Sequence, residues 1–251
     1  LAEHKEWWEK FWGKSSIDLA DKEFEKQWYI TNYLFGSCSR KGAPPMPLQG
    51  VWTADDGTLP PWKGDYHNDL NTQMSYYHYL KANHLKEGES FLDFLWQLKP
   101  QAEKFAVGFF DAPGINLPSV MSIDGKPLGG WPMYSLSLTN HIWLCKAFED
   151  YWKTTGDLSF LKDRAYPWFE ETARCVMRWL KKNENGKLVL PVSSSPEIHD
   201  STLKSWLTPN SSYDLSLLIY LLKRFTKCQK YWEMVISENG WNYMKCCRSL
   251  P

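Results

Sequence analysis

Apolar positions recur at helical spacing through most of the chain. Trp7, Trp8, Phe11 and Trp12 share one face of a helix expected over residues 3–12. A second helix is expected over 21–38, with Asp21 as N-cap and Phe24, Trp28, Tyr29 and Leu34 as its buried stripe. The pattern then breaks: residues 42–66 hold Pro44, Pro45, Pro47, Pro60 and Pro61 among several glycines and read as a long loop. Helix resumes over 69–83 and over 89–110, the latter bent at Pro100. A second proline-rich loop covers 111–136. Helices over 139–154 and 166–183 follow, with a helical turn at 158–164 between them. Residues 187–191 read as a short strand, 193–210 as a third long loop, and 213–225 as a last helix. Helix pairs joined by long, stiffened loops define an all-α chain, and loops of that length in a compact helical domain are usually functional.

Composition narrows the classes. The 251 residues carry 29 Lys+Arg against 29 Asp+Glu. That balance points away from a nucleic-acid or membrane-surface partner, each of which needs an excess of one sign. No apolar run approaches the length of a bilayer span. An apolar fraction of 43% and a charged fraction of 23% suit a globular chain. The six cysteines form no C-x-x-C pair or framework rhythm, so reduced thiols are expected. The unusual feature is aromatic: 15 Trp, 13 Tyr and 12 Phe. Trp serves cores and sugar-stacking floors alike, so those in loops are the informative ones.

Two segments concentrate chemistry. Residues 62–74 place Trp62, Tyr66, His67, Asp69 and Asn71 at the mouth of a helix, beside unpaired backbone N–H groups. Asp69 is either a functional carboxylate or simply an N-cap. Residues 192–200 hold Glu197 behind Pro196, just past the short strand, where a general acid would sit on a rigid turn. The histidines show no metal-ligand spacing, and no nucleophile elbow, Walker loop or dinucleotide fingerprint is present. Nothing in the sequence asks for a metal or a cofactor.

The order of short motifs resembles glycoside hydrolase family 95. Leu48-Gln49-Gly50-Val51-Trp52, Pro60-Pro61-Trp62 and the run from Tyr66 to Tyr76 are similar to that family's L-Q-G-x-W…P-P-W…Y-x-x-N-x-N-T-E-M-N-Y. Trp143-Leu144-Cys145, Thr155-Gly156-Asp157, Phe160-Leu161 and Tyr166-Pro167 follow its W-L-C…T-G-D-x-x-F-L…Y-P run, and Ser195-Pro196-Glu197 its S-P-E-N turn. The resemblance implies an (α/α)6 toroid and inverting hydrolysis of a terminal α-L-fucose-like or α-L-galactose-like sugar. It implies Glu197 as the acid and Asn71 as the second of two water-holding amides. The first amide falls on Asp69, a departure from the family, as is Gln73-Met74-Ser75 for E-M-N. A carboxylate there could take the water's proton itself, and an inverting pair needs its carboxyls roughly 6.5–9.5 Å apart. Trp62, Tyr66, His67 and Trp131 are candidates for contact with the sugar, and Asp214 for a further polar contact.

The expected partner is therefore an oligosaccharide or glycoside. A second reading is a carbohydrate-binding or scaffolding relative that kept the aromatic floor and lost catalysis. A third, a helical interaction domain, predicts that the three loops never meet. The glycosidase reading predicts that 42–66, 111–136 and 192–210 converge at one end. The helices fall well short of the twelve in an (α/α)6 barrel, so residues 1–227 are expected to be part of such a domain, inactive alone. Residues 228–251, with three cysteines and no sustained apolar face, are expected to be an out-of-frame tail. Starting on the last base of the Lys227 codon instead allows a peptide with a Gly-Asn-Gly-Asp break and an amphipathic run, which would continue the preceding helix better.

Overall fold

A computed structural model describes residues 1–50, 57–58, 62, 64–128, 132, 136–196, 202–206 and 210–238, the side chains of 205–206 and 227–238 excepted. The fold is all-α, as expected: helical hairpins of the toroid kind, with no closed barrel among the described residues. Among the described residues the main helices are α1 (Ala2–Trp12), α2 (Lys22–Cys38), α3 (Asn71–Ser75), α4 (Leu85–Gln97), α5 (Lys99–Phe110), α6 (Asn140–Thr155), α7 (Tyr166–Met177) and α8 (Ser212–Glu238). The expected helical turn lies between α6 and α7, at Leu158–Phe160 and Leu161–Ala165. The strands form two small antiparallel pairs: β1 (Tyr66–His67) with β2 (Val120–Met121), and β3 (Lys181–Lys182) with β4 (Leu188–Val189).

Asp21 caps α2 as expected, its carboxylate accepting from the N–H groups of Glu23 and Phe24. The buried stripe, however, is not the expected one. Phe24 and Leu34 face solvent, and the covered positions are Asn32, Phe35, Gly36 and Cys38. The face is turned because α2 packs on α1, where Phe11 is fully buried and Trp8 stacks on Tyr33 with ring centroids 5.1 Å apart.

Three further expectations are corrected. The helix expected over 69–83 is the short α3 followed by a turn at His78–Leu80. Leu70 leaves the helical region at φ −168°, ψ −55°, so Asp69 lies outside the helix and does not cap it. The helix expected over 89–110 is two helices meeting at Leu98. Pro100 sits in the first turn of α5, where its missing N–H removes no helical bond. The helix expected over 166–183 ends at Met177. Asn183 and Gly186, at φ 73°, turn the chain so that β3 pairs with β4. The strand expected over 187–191 thus gains a partner from residues read as helix. The last helix runs on from Phe225 to Glu238, and residues 239–251 of the expected tail lie outside the described residues.

The core centres on Trp168 of α7 and Phe148 of α6, stacked at 4.7 Å, with Leu92, Leu95, Ile115, Leu117 and Met121 around them. Helices α6, α7 and α8 pack on one another, α4 against α5, and α3 against α6. Cys38, Cys145 and Cys175 are buried and in no disulfide among the described residues.

Gly88 of α4 is a close-approach position: a Cβ there would lie 2.2 Å from the ring of Tyr79, itself buried. Gly88→Ala is expected to destabilise by about 1–3 kcal/mol, the usual cost of overpacking, despite the better helix propensity of Ala. A urea midpoint at or above the wild-type value would show that the Tyr79 ring yields freely.

Buried histidines add an acid sensitivity. His84 is fully buried, stacked on Phe11 at 3.7 Å, and neither ring nitrogen has a hydrogen-bond partner. Burial chiefly holds its pKa down at about 4, against an opposing pull from Glu87. Between the unfolded value of 6.5 and about 4, the unfolded chain binds more protons than the folded one. Stability present above that window is lost as pH falls through it. His141, buried and held at about 3, acts in the same direction. His84→Phe keeps the stacked ring and is expected to flatten the acid side of a melting-temperature profile. Parallel profiles for wild type and variant would assign the sensitivity elsewhere.

Candidate active site

The first loop ends on β1, and β1 pairs with β2 of the second loop, Tyr66 opposite Met121 and His67 opposite Val120. Asn68 extends this junction: its N–H donates to Ser119 O at 2.5 Å and its Nδ2 to Pro118 O at 3.0 Å. The third loop joins at the start of α8. Asp214 is buried there, its carboxylate accepting from the hydroxyls of Thr139 and Ser193 and, at 3.1 Å, from Ser194 N–H. Ser211 locks the same corner, its N–H on Ser193 Oγ at 2.8 Å and its hydroxyl on Ser194 O at 2.6 Å. The described parts of all three loops therefore converge where α3, α6 and α8 begin.

The carboxylates at this junction differ in setting. Burial is the main influence on Asp214 and raises its pKa, while the bonds from Ser193, Thr139 and Ser194 oppose the rise. Asp69 is partly exposed, and its charge reaches the Tyr213 phenol. Burial first, and then the charges of Asp69 and Asp214, push that phenol well above its usual range, so it stays protonated. Beside Asp214 opens a cavity of about 420 Å³, walled by Leu136, Leu138, Trp179, Leu190 and Val192. Among the described residues, no three His, Cys, Asp or Glu side chains group closely enough to hold a metal ion.

The candidate residues fall into distinct places. Trp62 is 42% exposed and lies edge-on to His67 with ring centroids 5.7 Å apart. His67 Nδ1 is 2.5 Å from Asp65 Oδ1, which orients the imidazole. Tyr66 lies in the core against Phe94, its hydroxyl donating to Pro45 O at 2.8 Å, so it supports the junction from beneath. Asn71 is exposed at the start of α3. Glu197 and Trp131 lie outside the described residues.

The pattern of the sequence did not single out Asn68, Asn140 or Tyr213, yet these three buried or part-buried residues knit the site. Asn140 Nδ2 donates to Asn68 O at 2.9 Å, and the Tyr213 hydroxyl donates to Asn140 Oδ1. The available signal was the cluster of cap-type residues at two helix starts, Thr139-Asn140 and Ser211-Ser212-Tyr213-Asp214.

Comparison with known proteins agrees with this architecture. The chain is 32% identical to Alpha-L-fucosidase 2 of Arabidopsis thaliana over 193 residues, which are 76% of this chain and 22% of that protein. It is 28% identical to Probable alpha-fucosidase A of Aspergillus niger over 187 residues, 68% of this chain and again 22% of the relative. The chain thus spans about a fifth of the length of the curated relatives it matches. The family model described as the Glycosyl hydrolase family 95 catalytic domain matches residues 9–240, taking in Asp69, Asn140, Glu197 and Asp214 together. The chain belongs to glycosyl hydrolase family 95 and falls within its catalytic domain.

Proposed function

We propose that this chain contributes the acid and a water-handling carboxylate to an exo-acting glycosidase that inverts a terminal α-L-fucose-like or α-L-galactose-like sugar. The observation that carries the reading is the convergence of the three loops at the starts of α3, α6 and α8, with Asp69 close enough to perturb Tyr213. The fucosidase names of the two relatives supply the sugar class.

In the reaction, Glu197 gives its proton to the glycosidic oxygen as the bond to the anomeric carbon breaks. Water attacks that carbon from the opposite face and loses its proton to Asp69, with Asn71 as a further contact to the water. Inversion follows because the anomeric carbon undergoes a single displacement, its new bond to water forming on the face opposite the bond that breaks. Trp62 and Trp131 offer apolar faces for the pyranose, and His67, its Nδ1–H given to Asp65, offers Nε2 as an acceptor to a sugar hydroxyl.

The test is a panel of 4-nitrophenyl α-L-fucoside, α-L-galactoside and α-L-arabinoside with the protein expressed from its full reading frame. Proton NMR would read which anomer is released first. Hydrolysis of the fucoside or galactoside with release of the β-anomer is expected. No hydrolysis of any member, with sugar still bound, would favour a binding relative.

A further inference from the structure

The peptide unit joining Asn68 to Asp69 is held more tightly than its place in a loop would require. Its carbonyl oxygen accepts two side-chain amides, Gln73 Nε2 and Asn140 Nδ2, the latter at 2.9 Å. A carbonyl has two lone pairs, so both are filled, and the plane whose other half is the Asp69 nitrogen is pinned. Asn68, Gln73 and Asn140 are each at most 2% exposed, so water cannot replace either amide cheaply.

The Asn140 amide is itself oriented. Its Oδ1 accepts from the Tyr213 hydroxyl, which leaves Nδ2 to face Asn68. A protonated phenol in that setting is a dependable donor. Asn140 lies in the first turn of α6 and Tyr213 in the first turn of α8, so one chain of bonds ties the peptide to α6 and through it to α8. The residue after Tyr213 is Asp214, which anchors Ser193 and Ser194 of the third loop. One short segment of α8 therefore touches the supports of both the first and the third loop.

We infer that Asn140 and Tyr213 are positioning residues for Asp69, setting the peptide plane on which its carboxylate is mounted and registering it to α8. The inference rests on the proposed role of Asp69 in handling the attacking water. Neither residue touches the reacting atoms in this account. Each acts by placement, where displacements of about 1 Å can cost up to about 10²-fold in rate.

The experiment is a pair of variants, Tyr213→Phe and Asn140→Ala, each made in the wild-type and in the Asp69→Asn backgrounds. Rates are taken on 4-nitrophenyl α-L-fucoside, whose leaving group keeps residual turnover measurable, and folding is followed by thermal melts. In the wild-type background, kcat is expected to fall about 10-fold for Tyr213→Phe, and further for Asn140→Ala, with KM nearly unchanged. In the Asp69→Asn background, both substitutions are expected to lose most of their effect, since nothing remains to be placed. Equal losses in the two backgrounds would mean that the residues only hold the fold together, and would overturn the inference. An unchanged kcat beside a large loss for Asp69→Asn would overturn it too, while leaving the role of Asp69 standing. Full activity in Asp69→Asn itself would remove that role and the inference with it. Should Asn140→Ala fail to fold, Tyr213→Phe, which removes a single oxygen, decides alone.

Discussion

Glu197→Gln is expected to lower turnover on glycosides with poor leaving groups by roughly 10²–10⁴-fold, the usual worth of a positioned general acid. Gln keeps the shape and a hydrogen-bond donor but has no proton to give to an alkoxide as it departs. A nitrophenolate leaves with little protonation, so the same variant should lose far less on 4-nitrophenyl α-L-fucoside than on a fucosylated disaccharide. A general acid must be protonated to act, so the wild-type rate falls as pH rises through its pKa, and that limb should vanish in the variant. The sequence just before Glu197 is well anchored, Ser193 and Ser194 being tied to Asp214. Equal losses on the two kinds of substrate, with the limb retained, would show that Glu197 binds or positions without donating the proton.

The parts of the molecule that could be read from the sequence are those decided by neighbours in the chain. Helices α1, α2 and α6 begin and end within a residue or so of their expected limits, because apolar period, the Asp21 cap and the Thr155-Gly156 stop are local signals. Where packing overrides local preference the reading fails. Phe24 looks like a core residue by spacing, yet α1 covers a different face of α2. Residues 69–83 look helical by spacing, yet the chain leaves the helical region at Leu70 and again at Tyr76, where φ is −119° and ψ 22°. The candidate site divides in the same way. Motif order drew attention to Asp69, Asn71 and Glu197, and a place at the start of a helix to Asp214. The bonds that hold Asp69 and Asp214 in place join residues about seventy positions apart, Asn68 to Asn140 and Thr139 to Asp214, and no periodicity reports such pairs. Tyr66 shows the limit of motif reading most plainly: the motif marks it, and its ring supports the core.

Asp69→Asn should be nearly as costly as the loss of Glu197, about 10²–10⁴-fold in kcat, if the carboxylate takes the proton of the attacking water. Unlike Glu197→Gln, it should not distinguish good from poor leaving groups, because deprotonation of the nucleophile is needed for both. The fold should be untouched. The sequence left open that Asp69 merely caps a helix, but α3 begins at Asn71 with Leu70, not Asp69, in the cap position. Even in a capping position, Asn would serve about as well as Asp. A lower melting temperature with unchanged specific activity would therefore assign Asp69 to local structure after all. The resemblance sharpens the comparison, since the resembled motif implies an amide at this place. If the variant kept or gained turnover, another carboxylate would be activating the water, and Asp69 would only stand where the resembled motif implies an Asn. A deep loss would instead mean that this chain moves the water's proton from a position where the resembled motif implies an amide, which could only bind the water.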